Sequence, residues 1–70
     1  MRVSVVGATG MVGQIILKVL AERSFPVTEL IPVASERSLG KKVAFGGQNW
    51  TVVSLVDALA AVPDVALFSA

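Results

Sequence analysis

The chain has 70 residues, 54% hydrophobic and 16% charged, with a formal net charge of +1 and neither cysteine nor histidine. Disulfides, a thiol nucleophile, imidazole acid–base chemistry and most metal sites are thereby excluded within these residues. The scattered acids and bases leave no footprint for nucleic acid or anionic lipid. A chain this short buries only about 60% of its unfolded surface. It can supply about one mononucleotide-binding half of a doubly wound fold, so part of a larger protein is expected. No run reaches the roughly 18 apolar residues of a spanning helix, and glycines at 7, 10 and 13 interrupt the N-terminal apolar run, against a signal peptide.

Arg2 to Val6 reads as a first strand, with β-branched bulk from Val3, Val5 and Val6. Gly7-Ala8-Thr9-Gly10 breaks it, and from Met11 to about Arg23 the spacing becomes helical. Val12, Ile15, Ile16, Val19 and Leu20 make one apolar stripe, with Gln14, Lys18 and Glu22 opposite it. Lys18 is in reach of Glu22, Arg23 suits the last helical turn, and Phe25-Pro26 closes the helix. Residues 29–34 read as a second strand. Its Pro32 lacks a ladder donor, and belongs where the strand leaves the ladder or has a short neighbour.

Residues 35–42 form a polar loop. Residues 42–45 and 49–53 flank Gly46-Gly47 as a hairpin, since two glycines favour the positive φ of a tight turn. Residues 55–61 make a short helix ended by Val62-Pro63, and residues 65–69 read as a buried parallel strand. With no further element beside it, that strand is expected to expose Leu67 and Phe68 or a bare edge, and to limit solubility. The pattern indicates the α/β class: a Rossmann-type NAD(P)-binding half domain, mostly parallel, with an inserted β-hairpin. Residues 1–70 form its N-terminal part.

Gly7-Ala8-Thr9-Gly10-Met11-Val12-Gly13 is a G-x-x-G-x-x-G arrangement between that strand and that helix. Gly7 permits the turn off the strand, Gly10 lets backbone approach a pyrophosphate, and Gly13 lets the helix lie close to the strand. The first helical N–H groups have no intrahelical partner, and the helix dipole there favours an anion. Thr9 is placed to cap the helix and to offer its hydroxyl to a phosphate oxygen. A glycine-rich turn without a ligand is the plainer reading of the pattern alone; the flanking strand and amphipathic helix favour the dinucleotide.

NAD-binding versions of this unit carry an acid at the tip of the second strand for the ribose 2′-hydroxyl. Here the tip is Ala34-Ser35-Glu36-Arg37-Ser38, with no acid at the strand end. The planar fork of Arg37 suits a 2′-phosphate, Ser35 and Ser38 offer hydroxyls, and Lys41 or Lys42 adds positive field. NADP is therefore favoured over NAD. Glu36 opposes this if it points inward, and a solvated mixed-charge loop is the bland alternative.

The glycine loop, Phe25-Pro26, the stretch Ala34-Ser35-Glu36-Arg37-Ser38-Leu39-Gly40-Lys41 and the closing run Asp64-Val65-Ala66-Leu67-Phe68-Ser69-Ala70 together resemble the N-terminus of the aspartate-semialdehyde dehydrogenase family, over the whole chain. The resemblance implies an NADP-dependent cytoplasmic enzyme, commonly a homodimer. Its small-molecule substrate, L-aspartyl 4-phosphate, is reduced to the semialdehyde with release of phosphate, on the route to lysine, methionine and threonine. It implies a diphosphate held by Gly7, Thr9, Gly10, Met11, Val12 and Gly13, and a 2′-phosphate gripped by Arg37 and Ser38 with Ser35 alongside. It also places Ser69-Ala70 near the adenosine. The family's catalytic cysteine, its acid–base histidine and its substrate arginines lie downstream of these positions. No catalytic residue is therefore assigned here, and the 70 residues alone are expected to be inactive. N-acetyl-glutamyl-phosphate reductases and extended short-chain reductases share the glycine loop. A nucleotide-binding module without catalysis is the reading from another class.

Overall fold

The computed structural model describes residues 1–68. Its spine is β1 (Arg2–Val6), flanked by β2 (Glu29–Val33) and β5 (Val65–Phe68) in a parallel sheet of order β2-β1-β5. Helix α1 (Met11–Glu22) links β1 to β2. Between β2 and β5 come a 3-10 turn (Glu36–Ser38), an antiparallel hairpin of β3 (Lys42–Phe45) and β4 (Gln48–Thr51), and helix α2 (Leu55–Ala60). The chain leaves β1 on one side to form β2 and returns to its other side as β5. That reversal of direction is the topological switch at which open α/β sheets bind ligands, beyond the carboxyl ends of the strands.

Alternation along β1 divides the core in two. Val3 and Val5, both fully buried, join Ala8, Leu17, Leu20, Leu30, Val43 and Val52 under α1 and the hairpin. On the other face Ile31, Val33 and Ala58 pack together with Val6, Val53 and Ala61, beneath α2. Helix α2 starts at Ser54, whose hydroxyl accepts from the amide of Asp57 at 3.2 Å. In the hairpin turn Gly46 and Gly47 both have positive φ, at 61° and 79°, and Trp50 Nε1 donates to the Phe45 carbonyl beside it.

The expected elements form, with corrections. The α1 stripe is rotated: Gly13, Leu17 and Leu20 are buried and Ile16 packs beside them, whereas Val12, Ile15 and Val19 are exposed. Thr9 does not cap α1. The N-cap is Gly10, with no side-chain capping bond. Arg23 lies at the C-cap, just past the last turn, and the helix ends before Phe25-Pro26. Ser24, at φ 51°, donates to the Ala21 carbonyl while the Phe25 amide reaches back to Leu20, a Schellman closure.

Strand β2 stops at Val33. Strand β4 starts at Gln48 and stops at Thr51, because Val52 turns to bond Lys41 and Val53 to bridge Val33 in parallel. Pro32 is accommodated on the side of β2 away from β1. Its carbonyl there accepts from the amide of Val53, so its missing N–H faces a single bridge rather than a full ladder. Helix α2 ends at Ala60, with Ala61 as its C-cap.

The closing strand is parallel as expected, and pairs with β1, but is not a buried one. Val65 and Leu67 are half-buried and Ala66 and Phe68 are exposed, since no helix covers that part of the sheet among the described residues. Its expected last residue, Ser69, lies outside the described residues.

Candidate functional site: the glycine corner

The loop leaving β1 turns at Gly7, whose φ of 83° a side chain would disfavour. The amides of Gly7 and Ala8 both donate to the Val33 carbonyl, at 2.7 and 3.1 Å, and the Gly10 amide donates back to the Gly7 carbonyl at 3.0 Å. These bonds fold the loop across the end of β2 and lead the chain into α1. Gly7 thus serves through its turn, with its amide engaged inside the protein.

Gly10 and Gly13 do different work. A Cβ on Gly13 would lie 2.0 Å from the Gly7 carbonyl oxygen and 2.8 Å from Ala8 Cα, so this glycine is required by the packing of α1 against the loop. A Cβ on Gly10 would meet only the Gly7 oxygen, at 3.4 Å, and the Gly10 backbone is extended at φ −79°, which any residue adopts. Nothing among the described residues therefore demands glycine at position 10. Its exposed flank lies at the amino end of α1, where the bonds of turns and caps among the described residues leave the amides of Thr9, Met11, Val12 and Gly13 unused. An anion can approach closely there, against donors and the positive end of the helix dipole.

The second half of the site lies beyond β2. Ser35, Glu36 and Arg37 are exposed on the 3-10 turn, and Arg37 makes no ion pair among the described residues. Ser38 is buried, its hydroxyl 3.4 Å from that of Thr9. The turn is anchored from behind, by Lys41 N–H on the Ser38 carbonyl and by Gly40 N–H and Val52 N–H, which pair with Val52 and Lys41. Lys42 is turned to the hairpin, its Nζ on the Thr51 hydroxyl, while Lys41 is exposed beside the turn.

The site residues expected from sequence thus converge at one edge of the sheet: the glycine loop after β1 and the basic turn after β2, joined by the Thr9–Ser38 contact. Ala70 lies outside the described residues. These features fit a dinucleotide, with open donors for the diphosphate and, a short way along the edge, a free guanidinium. A cleft of about 280 Å³ between α1 and the tip of the hairpin, lined by Leu17, Lys18 and Phe45 among others, borders that corner at Gln14 and carries Lys18 as its one charged lining side chain. Gln14 escaped the sequence reading, which saw only a polar helix face. Its Nε2 donates to the Ala8 carbonyl at 2.7 Å. The available signal was its position, one turn into the helix, from which an amide side chain can fold back over the loop.

No helix among the described residues is long and apolar enough to cross a membrane. Comparison with known proteins agrees with the geometry. A family model described as semialdehyde dehydrogenase, NAD binding domain, matches residues 2–70. The chain is 54% identical to an aspartate-semialdehyde dehydrogenase of Aquifex aeolicus over 71 residues, covering 99% of the chain and 21% of that protein. It is 49% identical to one of Legionella pneumophila, covering all of the chain and 20% of the relative. A crystal structure of aspartate semialdehyde dehydrogenase II from Vibrio cholerae, complexed with ASA, superposes with a TM-score of 0.89 at 46% identity, over 99% of this chain and 22% of that one. The chain spans about a fifth of the length of these relatives. With its fold shared and residues 2–70 matched, the chain belongs to the semialdehyde dehydrogenase NAD-binding domain family.

Proposed function

We propose that these residues bind NADP(H), and that the polypeptide carrying them is an aspartate-semialdehyde dehydrogenase. In that reaction NADPH reduces L-aspartyl 4-phosphate to the semialdehyde, and phosphate is released. The diphosphate takes the amides of Thr9, Met11, Val12 and Gly13 across the open flank of Gly10. The 2′-phosphate takes the guanidinium of Arg37 with the hydroxyls of Ser35 and Ser38, and Ala70 lies near the adenosine. The bound dinucleotide supplies a hydride. These residues bind and orient it, while the proton and acyl chemistry belongs to parts of the polypeptide beyond them. Names of relatives at 45–54% identity support the substrate, and the absence of an acid at the end of β2 supports the 2′-phosphate. A homodimer in the cytoplasm, serving lysine, methionine and threonine synthesis, completes the reading. Residues 1–70 are the N-terminal part of the cofactor domain and have no turnover of their own.

One observation carries the proposal most: Gly10 is a glycine that the packing of the described residues does not require. Gly10→Ala is therefore expected to leave the fold in place, at a cost of up to about 1 kcal/mol for the poorer N-cap. It should weaken NADPH and NADH alike by about tenfold, the size of a lost close contact and a displaced hydrogen bond. Calorimetric titration checks this; undiminished affinity in the folded variant removes the diphosphate from this corner.

A further inference from the structure

Gln14 lies on the exposed side of α1, yet its side chain folds back to the loop, where Nε2 donates to the Ala8 carbonyl at 2.7 Å. Ala8 is fully buried and its own amide is tied to Val33, so the residue is held from both ends. In a planar trans peptide the N–H points opposite to the carbonyl. With the Ala8 carbonyl held toward Gln14, the N–H of Thr9 is held away from it, and that amide is one of those the turn leaves unused. A flip of this one peptide would exchange a donor for a carbonyl oxygen at the anion-binding corner.

We propose that Gln14 is a positioning residue: its amide locks the Ala8–Thr9 peptide so that Thr9 presents a donor, rather than Ala8 an acceptor, to the dinucleotide's diphosphate. The proposal rests on the reading of the glycine corner given above. Gln14 acts on the diphosphate only through the loop, so its effect is blind to the 2′ position, and NADPH, NADH and inorganic pyrophosphate all feel it. Because the side chain is exposed, removing its amide opens no cavity in the core.

The test compares the whole polypeptide with its Gln14→Met variant, which keeps the length of the side chain and loses the donor. Titrations with NADPH, NADH and inorganic pyrophosphate give Kd and stoichiometry separately, and the Thr9 amide resonance is followed during the pyrophosphate titration. The expected result is a rise in all three Kd values by about 3- to 10-fold, the worth of one hydrogen bond, at unchanged stoichiometry. The Thr9 amide shift should shrink while those of Met11 and Val12 persist. Unchanged Kd values, or a loss of affinity with the Thr9 shift intact, overturn the role of Gln14 and leave the glycine corner standing. Absence of binding by the unsubstituted protein overturns the glycine corner itself, and this inference with it.

Discussion

Gly13→Ala is expected to unfold the segment or to come close to it. The added methyl carbon falls 2.0 Å from the Gly7 carbonyl oxygen and 2.8 Å from two further backbone atoms, Ala8 Cα and the Gly7 carbonyl carbon. Backbone atoms cannot rotate aside as a flexible side chain can. Relief requires α1 to lift from the sheet, and Leu17 and Leu20 lie on the same face of that helix, in the core with Val3 and Val5. Overpacking typically costs 1–3 kcal/mol, and here about 3 kcal/mol or more, because the clash is deep and the obstacles are rigid. A domain of this size has roughly 4–10 kcal/mol in all. The Tm, followed by circular dichroism, should fall by more than 10 °C, since each kcal/mol is worth about 4–8 °C in so small a unit. A Tm within a few degrees of the parent's would show that α1 is not seated against the loop as described.

Arg37→Ala should act the opposite way, on binding and not on folding. The side chain is exposed and makes no ion pair among the described residues, so its removal should change stability by less than about 0.5 kcal/mol. A charge-assisted, forked contact to a 2′-phosphate is worth about 1.5–3 kcal/mol. The Kd for NADPH should therefore rise by roughly 10- to 100-fold, while that for NADH, which has no 2′-phosphate, stays within about twofold. Equal losses for the two dinucleotides would detach Arg37 from the 2′ position. The neighbouring Glu36 is exposed as well, so the turn is free to present the guanidinium to the ligand with the carboxylate facing water.

Much of this was legible in the chain because several local signals agreed. The three valines of β1, the glycine loop and the pair Gly46-Gly47 each mark a feature whose backbone has few alternatives. The rotation of α1 was not legible from periodicity. Apolar residues occupy positions 12, 15, 16, 17, 19 and 20, more than half the circumference, so two stripes are equally good by spacing. What decides between them is a contact rather than a pattern: position 13 must face the loop, and positions 16, 17 and 20 follow it inward. The strip left outside, Val12, Ile15 and Val19, is apolar and exposed for that reason.

The site divides along the same line. Glycine spacing and the residue types of the Ser35–Ser38 stretch were visible in the chain and gave the proposed phosphate seats. That Gly7 and Gly10 spend their amides on Val33 and Gly7, that Ser38 is buried against Thr9, and that Gln14 holds the Ala8 carbonyl all depend on how the end of β2 meets the end of β1. Such pairings between distant stretches leave no trace in local sequence. The bareness of β5 is of this kind too: its apolar run has the composition of a covered strand, and only the sheet order shows Ala66 and Phe68 open.

The seat of the diphosphate can be read directly from amide resonances while NADPH is titrated into the polypeptide. Saturable shifts should be largest at Thr9, Gly10, Met11, Val12 and Gly13, with a second group at Ser35, Arg37 and Ser38 that is absent when NADH is used. Shifts gathered instead around Leu17, Lys18 and Phe45 would place the ligand in the cleft beside the hairpin and contradict the glycine corner outright.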